Sequence, residues 1–293
     1  MPVMNLAACF EDGAAAGPHN RLLDRFDWAG SGVAIPYVIF MTGRCGSTLL
    51  THLLRETGLC GNPDEFFNEA VIGPLRERLG VGGFADYFRA VVAHSASNRR
   101  FGIEIDPFRC ERLRELMDFT GVFPRDTAVF FWMTRRDIVG QAWSYAKAKK
   151  TGHWHLYTDG AAPAGTPPDA PIADHEWWSE ILLMLRAEQL MERFFAAAGI
   201  EPHRLDYEML VTDRRRTVIA VLQALSCSPD AIAQRLDRLD DATRRHDYAD
   251  WHTALIRFSD TYRAELQQIA RSRPTLDVYR LWLDLKERHA LPL

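Results

Sequence analysis

The sequence predicts an α/β fold, a mostly parallel central sheet flanked by helices, and three features point to it. "PYVIFMT" (36–42) and "TAVFFWM" (127–133) are unbroken apolar runs rich in β-branched and aromatic residues. Strands buried on both faces have this character. Each run is followed by a short polar turn and then by helical spacing, which is the alternation of a parallel βα architecture.

In chain order, residues 1–34 are rich in Ala and Gly and are expected to form a partly ordered lead-in, followed by a single domain over 35–293. After the first strand, "STLLTHLLRET" (47–57) places Leu49, Leu50, Leu53 and Leu54 on one side of a helix, and Gly58 supplies a stop. "FGIEID" (101–106) is a second strand, with a helix expected around "RCERLRELMDF". "DIVGQAWSYAKAKK" (137–150) is the helix behind the 127–133 strand. The Gly- and Pro-rich stretch up to Pro171 is loop. A long amphipathic helix spans 174–199, with Asp174 as its cap and Gly199 as its stop, and "HRLDY" (203–207) is one more short strand. The remainder is helical, with breaks near Ser228–Pro229 and Pro274.

Composition narrows the function classes. A hydrophobic share of 47% and a charged share of 25% are ordinary for a soluble chain with a sizeable core. A formal charge of -4 gives no global field for nucleic acid, so an anion site has to be built locally. Cys9, Cys45, Cys60, Cys110 and Cys227 are odd in number, scattered and without a CxxC pair, which suits a reducing compartment. No signal-peptide pattern occupies the first 20 residues, and the longest apolar runs are too short to span a bilayer. A cytoplasmic location is expected, with room for a peripheral membrane contact and for a homodimer.

The chemistry centres on "MTGRCGSTLL" (41–50). A strand, a glycine turn and a helix aim backbone N–H groups and the positive helix end at one point, which suits a phosphate or sulfate. Gly43 and Gly46 permit close approach, while Arg44, Ser47 and Thr48 add donors. A nucleoside-triphosphatase loop would read G-x-x-x-x-G-K-[ST]; here Met41 stands at the first glycine and Ser47 in the lysine slot. Two other readings stay open on the loop alone. One is a thiolate nucleophile at Cys45, although Arg44 precedes it instead of closing the loop behind it. The other is a turn that binds nothing.

"TRRDIVGQAWSYAKAKK" (134–150) repeats the layout, with Arg135 and Arg136 at a strand end, a helix opening at Asp137, and Ser144 two turns inside it. Cations at a helix start are disfavoured by the dipole, so their presence favours a second anion contact. "GNPDEFF" (61–67) sets an acidic turn, with Glu65, after the first helix. His153 and His155 form an H-x-H pattern without further ligands at metal spacing, and no metal is assigned. Trp154 beside them suits stacking on a sugar ring. Of Trp177 and Trp178, one is expected in the core and one facing a cleft. "DRRR" (213–216) and "DATRRHDYADWH" (241–252) hold basic clusters flanked by acids, which read as solvated helix faces, with reach to a phosphate as the alternative for the second.

Together, "PYVIFMTGRCGSTLLTHLLRETGLCGNPDEFF", "TRRDIVGQAWSYAKA" and "LDYEML" resemble the bacterial sulfotransferases typified by trehalose 2-sulfotransferase, over most of the chain from about residue 36. The resemblance implies a P-loop-like sulfotransferase fold and the co-substrate 3′-phosphoadenosine 5′-phosphosulfate (PAPS), with no metal. It also implies a hydroxyl acceptor on a sugar, glycolipid or related small molecule. It assigns Arg44, Cys45, Gly46, Ser47 and Thr48 to the 5′-phosphosulfate, Arg135 and Ser144 to the 3′-phosphate, and Glu65 to the general base, with Arg44 stabilising the leaving phosphate. Three positions depart from the family pattern: Cys45 where serine is usual, Asn62 where glutamate is frequent, and Glu104 where lysine is expected.

Overall fold

A computed structural model describes residues 5–17, 20–152, 154, 171–236 and 251–292 of the chain. Its first half runs β1 (Ile35–Met41), α1 (Ser47–Thr57), α2 (Glu69–Leu79), α3 (Phe84–Ser95) and β2 (Arg100–Ile105). It continues through α4 (Pro107–Leu113), α5 (Phe119–Val122), β3 (Val129–Thr134) and α6 (Ile138–Thr151). The second half holds α7 (Asp174–Ala198), β4 (His203–Asp206), α8 (Tyr207–Thr212), α9 (Arg214–Ala224) and α10 (Pro229–Leu236). Three more helices follow: α11 (Trp251–Thr261), α12 (Arg263–Ser272) and α13 (Val278–His289). The fold partitions into two compact units, Met1–Thr134 with Phe194–Leu239, and Arg135–Arg193 with Asp240–Leu293.

The first unit holds a four-stranded sheet in the order β2-β1-β3-β4, with every neighbouring pair parallel. The predicted parallel α/β class is therefore observed. Alternate residues of β1 serve opposite faces. Tyr37, Ile39 and Met41 pack with Leu50, Leu53 and Leu54 of α1 and with Val218, Val221 and Leu222 of α9. From the other face, Phe40 meets Phe119 of α5 and Phe194 and Phe195 at the end of α7. Helices thus cover both faces, which is why the strands are continuous apolar runs.

The edge of β2 is extended by a single bridge, Asp64 to Ile103, in which the Glu104 N–H donates to the Asp64 carbonyl at 2.9 Å. This bridge lays residues 64–65 along the C-terminal end of the sheet. Helix α1 ends at Gly58, whose φ of 65° is the left-handed conformation expected of a glycine stop.

Two segments differ from the sequence expectation. The lead-in is packed: Leu6, Phe10, Leu23, Trp28 and Val33 are all buried. Its Leu22 and Leu23 N–H groups donate to the Leu116 carbonyl. Helix α4 stops at Leu113 and runs into a turn over 114–116, after which Met117 bridges to Leu23 instead of continuing the helix to 119. At the start of α4, Asp106 caps the helix through the N–H groups of Phe108 and Arg109, with Pro107 in the first turn.

In the second unit, Trp177 and Trp178 are both fully buried and both contact the Phe258 ring, at 4.1 and 5.6 Å between centroids. The expectation that one of them faces a cleft is therefore corrected. Neighbours on a helix point about 100° apart, and α7 is enclosed over more than that arc. Residues 153, 155–170 and 237–250 lie outside the described residues, and with them His153, His155 and most of the basic 241–252 stretch. No helix among the described residues is long and apolar enough to cross a membrane.

Candidate active site

The turn from β1 into α1 is strained in two places. Arg44 has φ 64° and Gly46 φ 90°, both in the left-handed region. For a residue with a Cβ this conformation costs roughly 1–2 kcal/mol, and such strain gathers at functional sites. At Gly46 there is no alternative residue, because an added Cβ would lie 2.5 Å from the Tyr207 ring and 3.4 Å from Met133. No side chain caps α1. The N–H groups of its first turn, with Arg44 just before them in the chain, thus form the positive end of a helix.

Of the residues assigned to this loop, Gly43, Arg44, Gly46 and Thr48 are partly exposed, whereas Ser47 and Cys45 are buried. The Cys45 side chain belongs to the core beneath the loop, and its N–H donates to the Thr42 carbonyl at 3.2 Å. Burial, with the charge of Glu104 behind it, pushes its thiol up to about 12. Burial of this kind disfavours the thiolate nucleophile that the loop alone leaves open.

Glu104 sits on the same sheet face as Ile39, its partner across the β1–β2 pair. Its side chain is buried and hydrogen-bonded to that of Ser47, while its Oε1 has no hydrogen-bond partner. Burial, reinforced by the nearby Glu65 charge, raises its pKa to about 8, so the carboxyl is mainly neutral at pH 7. An unpartnered oxygen is tolerable on a neutral acid and costly on a carboxylate.

Glu65 follows the Asp64 bridge and is largely buried. Its Oε2 accepts from Asn68 Nδ2 at 3.0 Å and pairs with Arg109 Nη1 at 3.3 Å. Burial raises its proton affinity; Arg109 and Asn68 oppose that, and the Asp106 and Asp64 charges add to it. A carboxylate moved towards neutrality in this way is suited to accept a proton. Arg109 is itself held by Glu69, at 2.8 Å, and by Asp106, while Arg112 takes the other Glu69 oxygen at 2.8 Å. Arg109 was not singled out in the sequence. Its partners lie 40 and 44 residues away, a spacing no local pattern reveals. The only available signal was the Asp106–Pro107 cap that starts its helix.

In the second unit, the other two assigned residues share one face of α6. Arg135 Nη2 pairs with Asp137 Oδ2 at 2.9 Å, and the other Asp137 oxygen caps the helix through the Gly140 N–H at 2.8 Å. A Cβ on Gly140 would stand 2.7 Å from Arg135 Nη2, so this guanidinium lies against the first turn of the helix. Ser144 is four residues beyond Gly140 and therefore on the same face. Arg136, the less favoured arginine, is exposed.

Two measurements check the loop. Gly46→Ala should lose about 2–5 kcal/mol of stability in chemical denaturation, the sum of left-handed strain and overpacking against Tyr207. For Glu104, the folded-state pKa lies above the ordinary carboxylate value of 4.5. The stability it confers is therefore complete below pH 4.5 and is lost as pH rises towards 8, with a limiting slope of about 1.4 kcal/mol per pH unit. Glu104→Gln should flatten that decline and be the more stable protein at pH 7.5; an unchanged pH profile would contradict the assignment.

Comparison with known proteins agrees with the motifs. The model of the Stf0 sulphotransferase family matches residues 36–92 and 109–254, more than half of the chain. The trehalose 2-sulfotransferase of Mycolicibacterium smegmatis is 27% identical over 231 residues, 66% of this chain and 85% of that protein. Its counterpart in Mycobacterium tuberculosis is 26% identical over 275 residues, 80% of this chain and 96% of that protein. Among solved structures, the sulfotransferase domain from the curacin biosynthetic pathway covers 83% of this chain and 99% of its own, at 14% identity and a TM-score of 0.38. The chain belongs to the Stf0 sulfotransferase family and is a sulfotransferase.

Proposed function

We propose that the chain moves the sulfuryl group of PAPS to a hydroxyl of a carbohydrate or sugar-bearing acceptor, with Glu65 as the base and the 42–48 loop as the site of the leaving phosphate. The observation that carries this reading is the placement of Glu65. The Asp64–Ile103 bridge sets it next to β2, and the adjacent Glu104 on that strand is hydrogen-bonded to Ser47 of the loop. This linkage of Glu65, β2 and the loop at one end of the sheet supports reading Glu65 as the proton acceptor and the loop as the anion site.

The reaction follows from those parts. The acceptor oxygen attacks sulfur as its proton passes to Glu65. The bond from sulfur to the 5′-phosphate oxygen breaks, releasing a sulfate ester and 3′-phosphoadenosine 5′-phosphate. Charge develops on the phosphate, and Arg44 with the N–H groups at the start of α1 are the groups that would stabilise it there. Sulfuryl transfer in line resembles phosphoryl transfer in needing mainly positioning and charge stabilisation. A neutral Glu104 adds no repulsion to that anion. Cys45 contributes to the loop's packing, and the donor contacts fall to Arg44, Ser47, Thr48 and the backbone. The resemblance assigns the 3′-phosphate to Arg135 and Ser144.

The names of the mycobacterial relatives favour a sugar acceptor, trehalose among them. Trp154, 39% exposed and edge-on to Tyr145 at 5.3 Å, offers an aromatic surface of the kind that stacks on sugar rings.

The test combines binding with turnover. 3′-Phosphoadenosine 5′-phosphate without Mg²⁺ should raise the melting temperature, whereas ATP with Mg²⁺ should not; the opposite pattern would refute the donor assignment. Glu65→Gln should keep that thermal shift and lose about 10²–10⁴-fold in the transfer rate from PAPS to trehalose. Wild-type turnover by this variant would remove Glu65 from the mechanism.

A further inference from the structure

We infer that Arg273 is a positioning residue for the 3′-phosphate contact, through a clamp on the backbone that carries Arg135. The inference rests on the assignment of that phosphate to Arg135 and Ser144. Arg273 opens the short 3-10 turn Arg273–Thr275 after α12, more than a hundred residues from the turn it touches. Its guanidinium is divided between two jobs. Nε and Nη2 take both oxygens of Glu188 on α7, at 2.7 and 2.5 Å. Nη1 donates to the Arg136 carbonyl at 2.9 Å, and Nη2 also donates to the Arg135 carbonyl at 2.8 Å.

These two carbonyls belong to the turn by which the chain leaves β3 and enters α6. Holding the Arg135 carbonyl fixes the peptide plane that leaves the Arg135 Cα, and holding the next carbonyl steadies that plane from the helix side, which restrains the base of the Arg135 side chain. The guanidinium then lies against Gly140, paired with Asp137, on the face that also carries Ser144. A cation in the first turn of a helix is opposed by the dipole. Holding it there in a set geometry is useful if an anion is to be met on that face.

The fork geometry is specific to arginine. A bidentate pair with Glu188 locks the guanidinium plane, and only a planar group of five N–H donors can also reach two successive carbonyls. Glu188 is largely buried, and burial raises its proton affinity against the Arg273 charge. The pair is thus anchored inside the second unit, and lysine at 273 would retain the charge opposite Glu188 while losing the two-carbonyl grip.

A purely structural tie between α7 and the end of α12 predicts different behaviour, and nucleotide discrimination separates the two. Titration calorimetry on the full chain would compare 3′-phosphoadenosine 5′-phosphate with adenosine 5′-phosphate, which lacks the 3′-phosphate. Arg273→Lys should weaken the first by about 10- to 100-fold, as expected for a misplaced contact group, and leave the second within about two-fold. Glu188→Gln, which loosens the fork without removing it, should give a smaller loss of the same selectivity and serves if the lysine variant does not fold. Arg135→Ala is the reference. If it loses selectivity while neither Arg273→Lys nor Glu188→Gln does, the clamp is refuted and the phosphate assignment stands. If Arg135→Ala weakens both nucleotides alike, the phosphate assignment itself is overturned.

Discussion

The turn between β1 and α1 is the constraint on which the candidate site depends. Two left-handed residues within three positions bring the helix start close to the strand end, and the second of them, Gly46, has the Tyr207 ring pressed against it. Tyr207 begins α8, capped by Asp206 at the end of β4, and β4 is fixed by its pairing with β3, Thr134 opposite Asp206. The last strand in the sequence therefore sets the shape of the first loop. A local anion-binding turn is in this sense a tertiary product. Its strain is sustained by sheet pairing more than 150 residues downstream, as backbone strain at functional sites requires.

The charges around that turn need reconciling, since an anionic donor is expected beside an acidic neighbourhood. Asp64, Glu65, Glu69, Glu104 and Asp106 are all drawn to the β2 end of the sheet. The structure compensates each differently. Glu69 is held below the ordinary carboxylate range: although burial works against it, the Arg109 and Arg112 partners prevail. Asp106 is engaged by Arg109 and by the helix it caps. Glu104 avoids ionisation through burial, and Glu65 is left as the acid nearest to accepting a proton. One arginine thus anchors the base and neutralises its neighbours, while a net charge of -4 says nothing about the local field.

The elements nearest the loop were legible because their signals are local. A continuous apolar run, a glycine and a leucine stripe identify β1 and α1 within one or two residues, and the Asp137 cap does the same for α6. What stayed hidden depends on contacts distant in sequence. Composition made the lead-in look loose, yet Trp28 is buried and donates to the Val122 carbonyl at 2.6 Å. Arg109 looked like an ordinary helical arginine until Glu65 and Glu69 were placed beside it. Glu104 was noticed as a departure in charge; its burial arises because β2, although an edge strand, is covered on both faces and flanked by the Asp64 bridge. Arg273 carries no motif at all, because its partners are a carboxylate 85 residues away and two backbone carbonyls, which any residues would supply.

Two of the departures from the family pattern, Cys45 and Glu104, turn out to be electrostatic neighbours. Burial holds the Cys45 thiol neutral, and burial with the Glu65 charge does the same for Glu104. Where the family pattern would put a hydroxyl and a cation, this chain places two neutral groups beneath the loop. Positive charge at the loop is consequently carried by Arg44 and the N–H groups of α1. A neutral carboxyl at this position adds no negative charge beneath the loop, and the hydrogen bond between the Ser47 and Glu104 side chains ties the loop to β2. On the proposed reading, donor recognition would rest more on the shape of the turn and less on the number of cations around it.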